Sequence, residues 1–190
     1  MYKEEYCEYL KGRSSVSILY KKMMVYPRLL SKAKGKIVDY GCGIGDLLSY
    51  NKAIIGVDIN EYCIESCVER GLNAMHIENN KLPFQDNELS TIILDNVYEH
   101  LPHPEDQFVE IRRVLKTDGR LIIGVPGLKG HHLDSTHIRY YSEELLVDSL
   151  DRQHFKLDHL FYTPFIKSKY LSKKLNIYVL WGVFSPRTAI

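Results

Sequence analysis

From residue 37 to residue 48 the chain reads Ile-Val-Asp-Tyr-Gly-Cys-Gly-Ile-Gly-Asp-Leu-Leu, with Gly41, Gly43 and Gly45 alternating and Asp39 two residues ahead of the first. An apolar strand that runs through such a turn into a helix lets the backbone approach a ligand where a Cβ would intrude. The dinucleotide form of this turn needs a small residue at its third position. Here that position is Asp46, whose carboxylate would face the pyrophosphate it should help to bind, so a nicotinamide cofactor is not expected. Asp39 instead suits a zwitterion: a carboxylate beside the turn accepts from an ammonium group, and N–H groups at the helix start meet a carboxylate. Asp58, in Gly-Val-Asp-Ile-Asn at the end of the next apolar run, is placed to take both hydroxyls of a ribose, with Ile59 against an adenine face. An amino acid joined to an adenosine with no phosphate between them is S-adenosylmethionine.

The stretches VDYGCGIGDLL, GVDIN, ENNKLPFQDNELSTIILDNVYEHLPHPE and IRRVLKTDGRLIIGVP follow one another in order, and with them the chain resembles the class I S-adenosylmethionine-dependent methyltransferases, in particular the small-domain type 11 group. The resemblance covers about Lys36 to at least Ser142. It implies an α/β, Rossmann-like seven-stranded sheet of order 3-2-1-4-5-7-6, with the seventh strand antiparallel and helices on both faces. It also implies that Gly41, Gly43 and Gly45 lie under the methionine part with Asp39 near its ammonium, and that Asp58 binds the ribose. Glu78 and Asn79 fall at the adenine amino group, and Asp95 and Asn96 near the sulfonium and its methionine arm.

Methyl transfer from a sulfonium is an in-line displacement, so such a protein must align donor and acceptor and, for a hydroxyl acceptor, remove a proton. Histidine suits the second task near neutral pH, and three places offer one: His100, the pair His131 and His132, and His137. His100, after the fourth strand, is the first candidate base, with His137 and His132 after it; a histidine capping a turn or pairing with Glu99 is the structural alternative for His100. Asn96, Glu99 and His100 share one helical face at i, i+3, i+4, where some relatives that methylate quinone precursors place a metal on a comparable Glu-x-x-Glu-His. Asn96 removes the first carboxylate, so no bound magnesium is expected.

Short apolar runs alternating with amphipathic segments from Lys36 to Ser185 must position these groups, a pattern that fits a parallel sheet covered by helices. Strands are expected at 36–40, 53–57, 73–77, 91–95, 119–125, 154–161 and 176–184, and helices near 5–31, 45–51, 60–70, 105–115 and 142–150. In the helix at 105–115, Phe108, Val109, Ile111, Val114 and Leu115 should face the sheet. Residues 127–141, with two glycines, three histidines, Asp134, Arg139 and two tyrosines, are too polar for core and read as acceptor-side loop. The expected organisation is one domain, 1–190, with a helical cap at 1–34, either a lid or plain cover for the sheet, and a basic insertion at 163–175 between the last two strands.

Composition limits the partners. The 190 residues hold 25 Lys+Arg against 24 Asp+Glu, and a formal charge of +1 argues against stable nucleic-acid binding. The balance is uneven: residues 1–150 are net −4, residues 151–190 net +5. Lys167, Lys169, Lys173 and Lys174, interleaved with apolar residues, suit weak contact with an anionic surface or acceptor, against the ordinary reading of a solvated face. A charged N-terminus, no long apolar span and four cysteines without secretory context lead to the expectation of a cytoplasmic protein with reduced, buried thiols. Taken together, these features predict a methyltransferase acting on a small-molecule acceptor, through O-methylation of a hydroxylated metabolite or sugar; the alternatives are a non-catalytic cofactor-binding partner subunit and an RNA methyltransferase.

Overall fold

Runs rich in Ile, Val and Leu become the centre of one sheet in the computed structural model, which describes residues 3–187. Its strands are β1 (Ile37–Tyr40), β2 (Ile55–Asp58), β3 (Ala74–His76), β4 (Leu89–Asp95), β5 (Leu115–Pro126), β6 (Phe155–Thr163) and β7 (Val179–Pro186). Their order is β3-β2-β1-β4-β5-β7-β6. The first five pair in parallel, and β7 runs antiparallel to both β5 and β6, which is the topology the resemblance implied. Parallel strands need both faces covered, and Leu89 to Leu94 of β4 are buried at every position.

Two apolar layers do the covering. On one face Tyr98, Phe108, Ile111, Leu146, Leu150 and Phe155 pack against Val38, Ile92 and Ile123; on the other Tyr26, Leu29, Leu47, Leu48, Cys67 and Trp181 pack against Ile93 and Ile122. The first layer rests on α6 (Glu105–Val114) and α8 (Glu143–Arg152). In α6, Glu105 and Asp106 open the helix and Arg112 and Arg113 close it, the charge order that the helix dipole favours. Burial of Phe108, Ile111 and Val114 contributes about 1.5–3 kcal/mol for each side chain. Val109, expected on that face, is exposed: one residue on from Phe108 is about 100° around the helix, away from the arc shared by Ile111 and Val114. The other layer includes α4 (Asp46–Tyr50) and α5 (Glu61–Glu69), which carry Leu47, Leu48, Ile64 and Cys67.

The N-terminal cap departs from the expected continuous helix over 5–31. It breaks into α1 (Lys3–Lys11), α2 (Ser15–Tyr20), a π-helical turn at Lys21–Val25 and α3 (Tyr26–Leu30). Ser14 starts α2 by accepting from the Val16 N–H, and Pro27 lies in the first turn of α3, both local start signals that a hydrophobic-period reading passes over. β5 begins at Leu115, ahead of the predicted 119, because Leu115 pairs with Leu89 before a register shift. Two further short helices form, α7 (Leu128–Leu133) in the stretch read as loop and α9 (Lys169–Lys174) within the basic insertion. No helix among the described residues is long and apolar enough to cross a membrane.

Candidate functional site

The glycine turn is held open by backbone geometry. Gly41, Gly43 and Gly45 all have positive φ, at 75°, 52° and 75°, a region that strains side-chain-bearing residues. A Cβ on Gly41 would come within 2.6 Å of Val97, and one on Gly45 within 2.9 Å of the Cys67 sulfur. The sulfur of Cys67 in turn donates to the Gly43 carbonyl at 3.4 Å. All four cysteines are free and buried, as expected.

Around this turn the parallel strand ends bring acids together. Asp58, at the end of β2, accepts the Gly43 N–H at 2.8 Å on one oxygen and the Asn60 N–H at 2.9 Å on the other. It thereby ties β2 to the turn and orients Asn60, which caps α5. Burial raises the pKa of Asp58, and its backbone donors oppose that rise. Asp39, in β1, is only 4% exposed, and its carboxyl sits well above the usual carboxylate range because it is desolvated and faces Asp95, with Lys21 acting in the opposite sense. Asp95, ending β4, pairs with Lys21 at 2.9 Å and accepts the Asn96 side-chain amide at 2.6 Å. Asn96 is itself left-handed, with φ of 56°. The result is a cluster of three acids around a turn, with one lysine reaching it from the N-terminal cap.

The adenine corner is looser. Ile59 is 56% exposed beside Asp58, an apolar surface free to be covered by a ring. His76 at the end of β3 contacts the Ile59 carbonyl at 3.2 Å and Glu78 at 3.9 Å, so Glu78 reaches this corner through His76. Asn79 follows with φ of 51° and is exposed.

Over the turn lies α1. Leu10 is the atom a Cβ on Gly43 would meet, at 3.0 Å, and Cys7 and Leu10 form a small core with Ile44 and Cys63. Arg13 ties the cap to Asp46 at 2.7 Å, and Asn60 donates to the Lys3 carbonyl at 2.8 Å. Tyr6 has its hydroxyl pushed up to about 12 by burial, then by Asp58 and Asp134.

A second group forms where that loop meets the end of β4. Tyr98–His100 is a single 3-10 turn. Its Glu99 carbonyl accepts the Ile138 N–H at 3.0 Å, anchoring the loop. The histidine rings of residues 100 and 137 lie 4.6 Å apart, and His131 stacks on His137 at 5.4 Å. Burial, then the neighbouring His137, lowers the pKa of both His100 and His131, so these imidazoles are kept neutral and able to accept a proton. His132 is exposed and edge-on to His131, outside the cluster. Sequence reasoning gave Glu99 as a partner for His100 and, with Asn96 and His100, as part of a face where no magnesium was expected; Glu99 is fully buried, 3.6 Å from His137. It also gave Lys21 and Asp134 no role. The signal for Lys21 was weak, because only the break of the cap into a π turn aims it at Asp95.

Residues 38–123 match the methyltransferase domain family. The chain is 30% identical over 119 residues to an uncharacterized protein of Methanocaldococcus jannaschii, a match covering 62% of this chain and 57% of that one. It is 31% identical over 109 residues to the human protein called "Probable tRNA methyltransferase 9B", covering 54% of this chain and 24% of that one. The chain thus spans a quarter to somewhat over half the length of these two relatives. Among solved structures, a SAM-dependent methyltransferase from Thermotoga maritima superimposes with a TM-score of 0.73 at 18% identity, covering 96% of this chain and 97% of that one.

Proposed function

Residues 38–123 match the methyltransferase domain family and the sheet has the order β3-β2-β1-β4-β5-β7-β6, and from that premise we propose that the chain is a class I, type 11-like methyltransferase that uses S-adenosylmethionine to methylate a small-molecule acceptor, at a hydroxyl of a metabolite or sugar. The acid cluster carries this reading. Asp39, Asp58 and Asp95 stand at the ends of adjacent strands around the glycine turn, and burial holds Asp39 and Asp58 above the ordinary carboxylate range. Such a cluster favours a cationic ligand that arrives largely desolvated, and this cofactor brings both a sulfonium and an ammonium.

Asp39 takes the ammonium and Asp58 the ribose hydroxyls, with Ile59 under the adenine and Glu78 and Asn79 at its edge. Gly41, Gly43 and Gly45 give the methionine arm room, and Asp95 and Asn96 lie along it. The activated methyl comes with the cofactor. The protein adds alignment, and an imidazole, from His100 or His137, takes the acceptor proton. We read the chain as one domain acting in the cytoplasm. The lysines of 163–175, beside exposed Phe165, Ile166 and Tyr170, are its point of weak contact with anionic surfaces.

An RNA acceptor is the second reading, favoured by the similarity to the tRNA methyltransferase 9B protein. Incubation with methyl-labelled cofactor and parallel panels of hydroxylated metabolites, nucleotide sugars and transfer RNA separates the two. Label in a small molecule that His100→Ala and His137→Ala reduce supports the first; label in RNA alone overturns it.

A further inference from the structure

We propose that Glu99, His100 and His137 form a binding site for a divalent transition-metal ion, at the junction of the β4 end and the loop after β5. One ligand atom from each of the three lies within 4.8 Å of the others. Atoms sharing one such ion at about 2.1 Å stand about 3–3.5 Å apart, so the widest separation would have to close by somewhat over about 1 Å. The Glu99 oxygen and His137 Nε2 are already 3.6 Å apart.

The proton positions favour a cation. His137 Nδ1 lies 3.0 Å from the His131 carbonyl, and His100 Nδ1 lies 3.2 Å from the Thr136 carbonyl. A carbonyl only accepts, so both Nδ1 atoms carry hydrogen, which leaves the two Nε2 atoms as the ring nitrogens that can offer a lone pair to an ion. The Thr136 hydroxyl agrees: it donates to Asp134 at 2.6 Å and so turns a lone pair to His100 Nδ1 at 3.1 Å. This is the outer-shell arrangement that orients metal-binding histidines. Glu99 supplies the independent observation. Its side chain is wholly buried, and neither oxygen has a hydrogen-bond partner among the described residues, an expensive state unless something fills it. Asp134 adds an oxygen 3.9 Å from His137 Nε2.

Two imidazoles and one carboxylate suit manganese, iron, cobalt or zinc better than magnesium. Asn96, the residue that argued against a metal, is turned to Asp95, and His137 from the loop supplies the third ligand. Three protein ligands leave coordination positions open; an ion bound there engages the ring nitrogens that otherwise take the acceptor proton, so in the loaded protein the open positions, not the imidazoles, meet an acceptor oxygen, a role that rests on the function proposed above, whereas the ion itself does not.

Titrating the chelator-treated protein with cobalt(II) chloride, without cofactor, tests the site by visible absorption and calorimetry. We expect one equivalent bound, with ligand-field bands and no thiolate charge transfer. Glu99→Gln and His137→Ala should each weaken binding by about 10-fold or more, while His103→Ala, an exposed histidine elsewhere, leaves it unchanged. Glu99→Gln is near-isosteric, so it answers even if His137→Ala fails to fold. The absence of saturable binding, affinity undiminished in Glu99→Gln, or a thiolate band in place of the ligand-field bands would each overturn the proposal. Loss of S-adenosylmethionine binding in a separate titration bears on the cofactor reading alone.

Discussion

Asp58 and Glu99 are both carboxylates withdrawn from water near the carboxyl ends of parallel strands, and they differ in what meets them. Asp58 accepts two backbone N–H groups, one from the glycine turn, whereas both oxygens of Glu99 lack a hydrogen-bond partner among the described residues. The difference divides the molecule. The half around β1 and β2 uses its charge to fix its own backbone and presents a finished surface to a ligand. The half around Glu99, His100 and the loop at 134–139 has its main chain fastened but its central carboxylate unmatched, as expected of a place that something else completes.

Breaking the finished half should have the largest effect. Gly41→Val puts a branched side chain at φ of 75° and into Val97. It should destabilise the fold by about 1–3 kcal/mol and abolish cofactor binding, measured by thermal melting and by titration. The same disruption is not expected on the other side. Glu99→Gln should leave the fold and cofactor affinity intact while weakening metal binding, and a matched loss of cofactor affinity would erase the division between the halves.

A pH series sharpens the contrast next. In the free protein Asp39 and Asp58 have raised pKa values, so the stability they lend is fully present below their unfolded value near about 3.9 and is lost as pH rises through their folded values. A cationic cofactor needs them ionised. Its affinity should therefore rise with pH across that window, set also by Asp95, Asp46 and Lys21, which face Asp39. Asp39→Asn should flatten the rise, as read by calorimetry at several pH values. The smallest effect belongs to the cap: Arg13→Ala removes a partly exposed pair with Asp46 and should cost about 0–1 kcal/mol in a denaturant melt.

The two halves also differ in how far they could be read from residue order. Glycines at alternate positions and acids at strand ends are local patterns, and the topology that joins Asp39, Asp58 and Asp95 followed from the family resemblance. Glu99 and His137 are far apart in the chain, and nothing local says that the Ile138 N–H will bond the Glu99 carbonyl and draw the imidazole beside the carboxylate. Val109 failed for a simpler reason: apolar type was taken for buried position, although its angle around α6 points it outward. The π turn that carries Lys21 onto Asp95 has no composition signal at all.

Calorimetric titration of the wild type and Asp58→Ala with S-adenosylmethionine, and with its demethylated product, tests the central claim most directly. The account predicts saturable binding of both ligands by the wild type and a loss of about 1.5–3 kcal/mol or more in the variant, the range for a charged hydrogen-bonding group. No binding by the wild type, or equal affinity in Asp58→Ala, would contradict it.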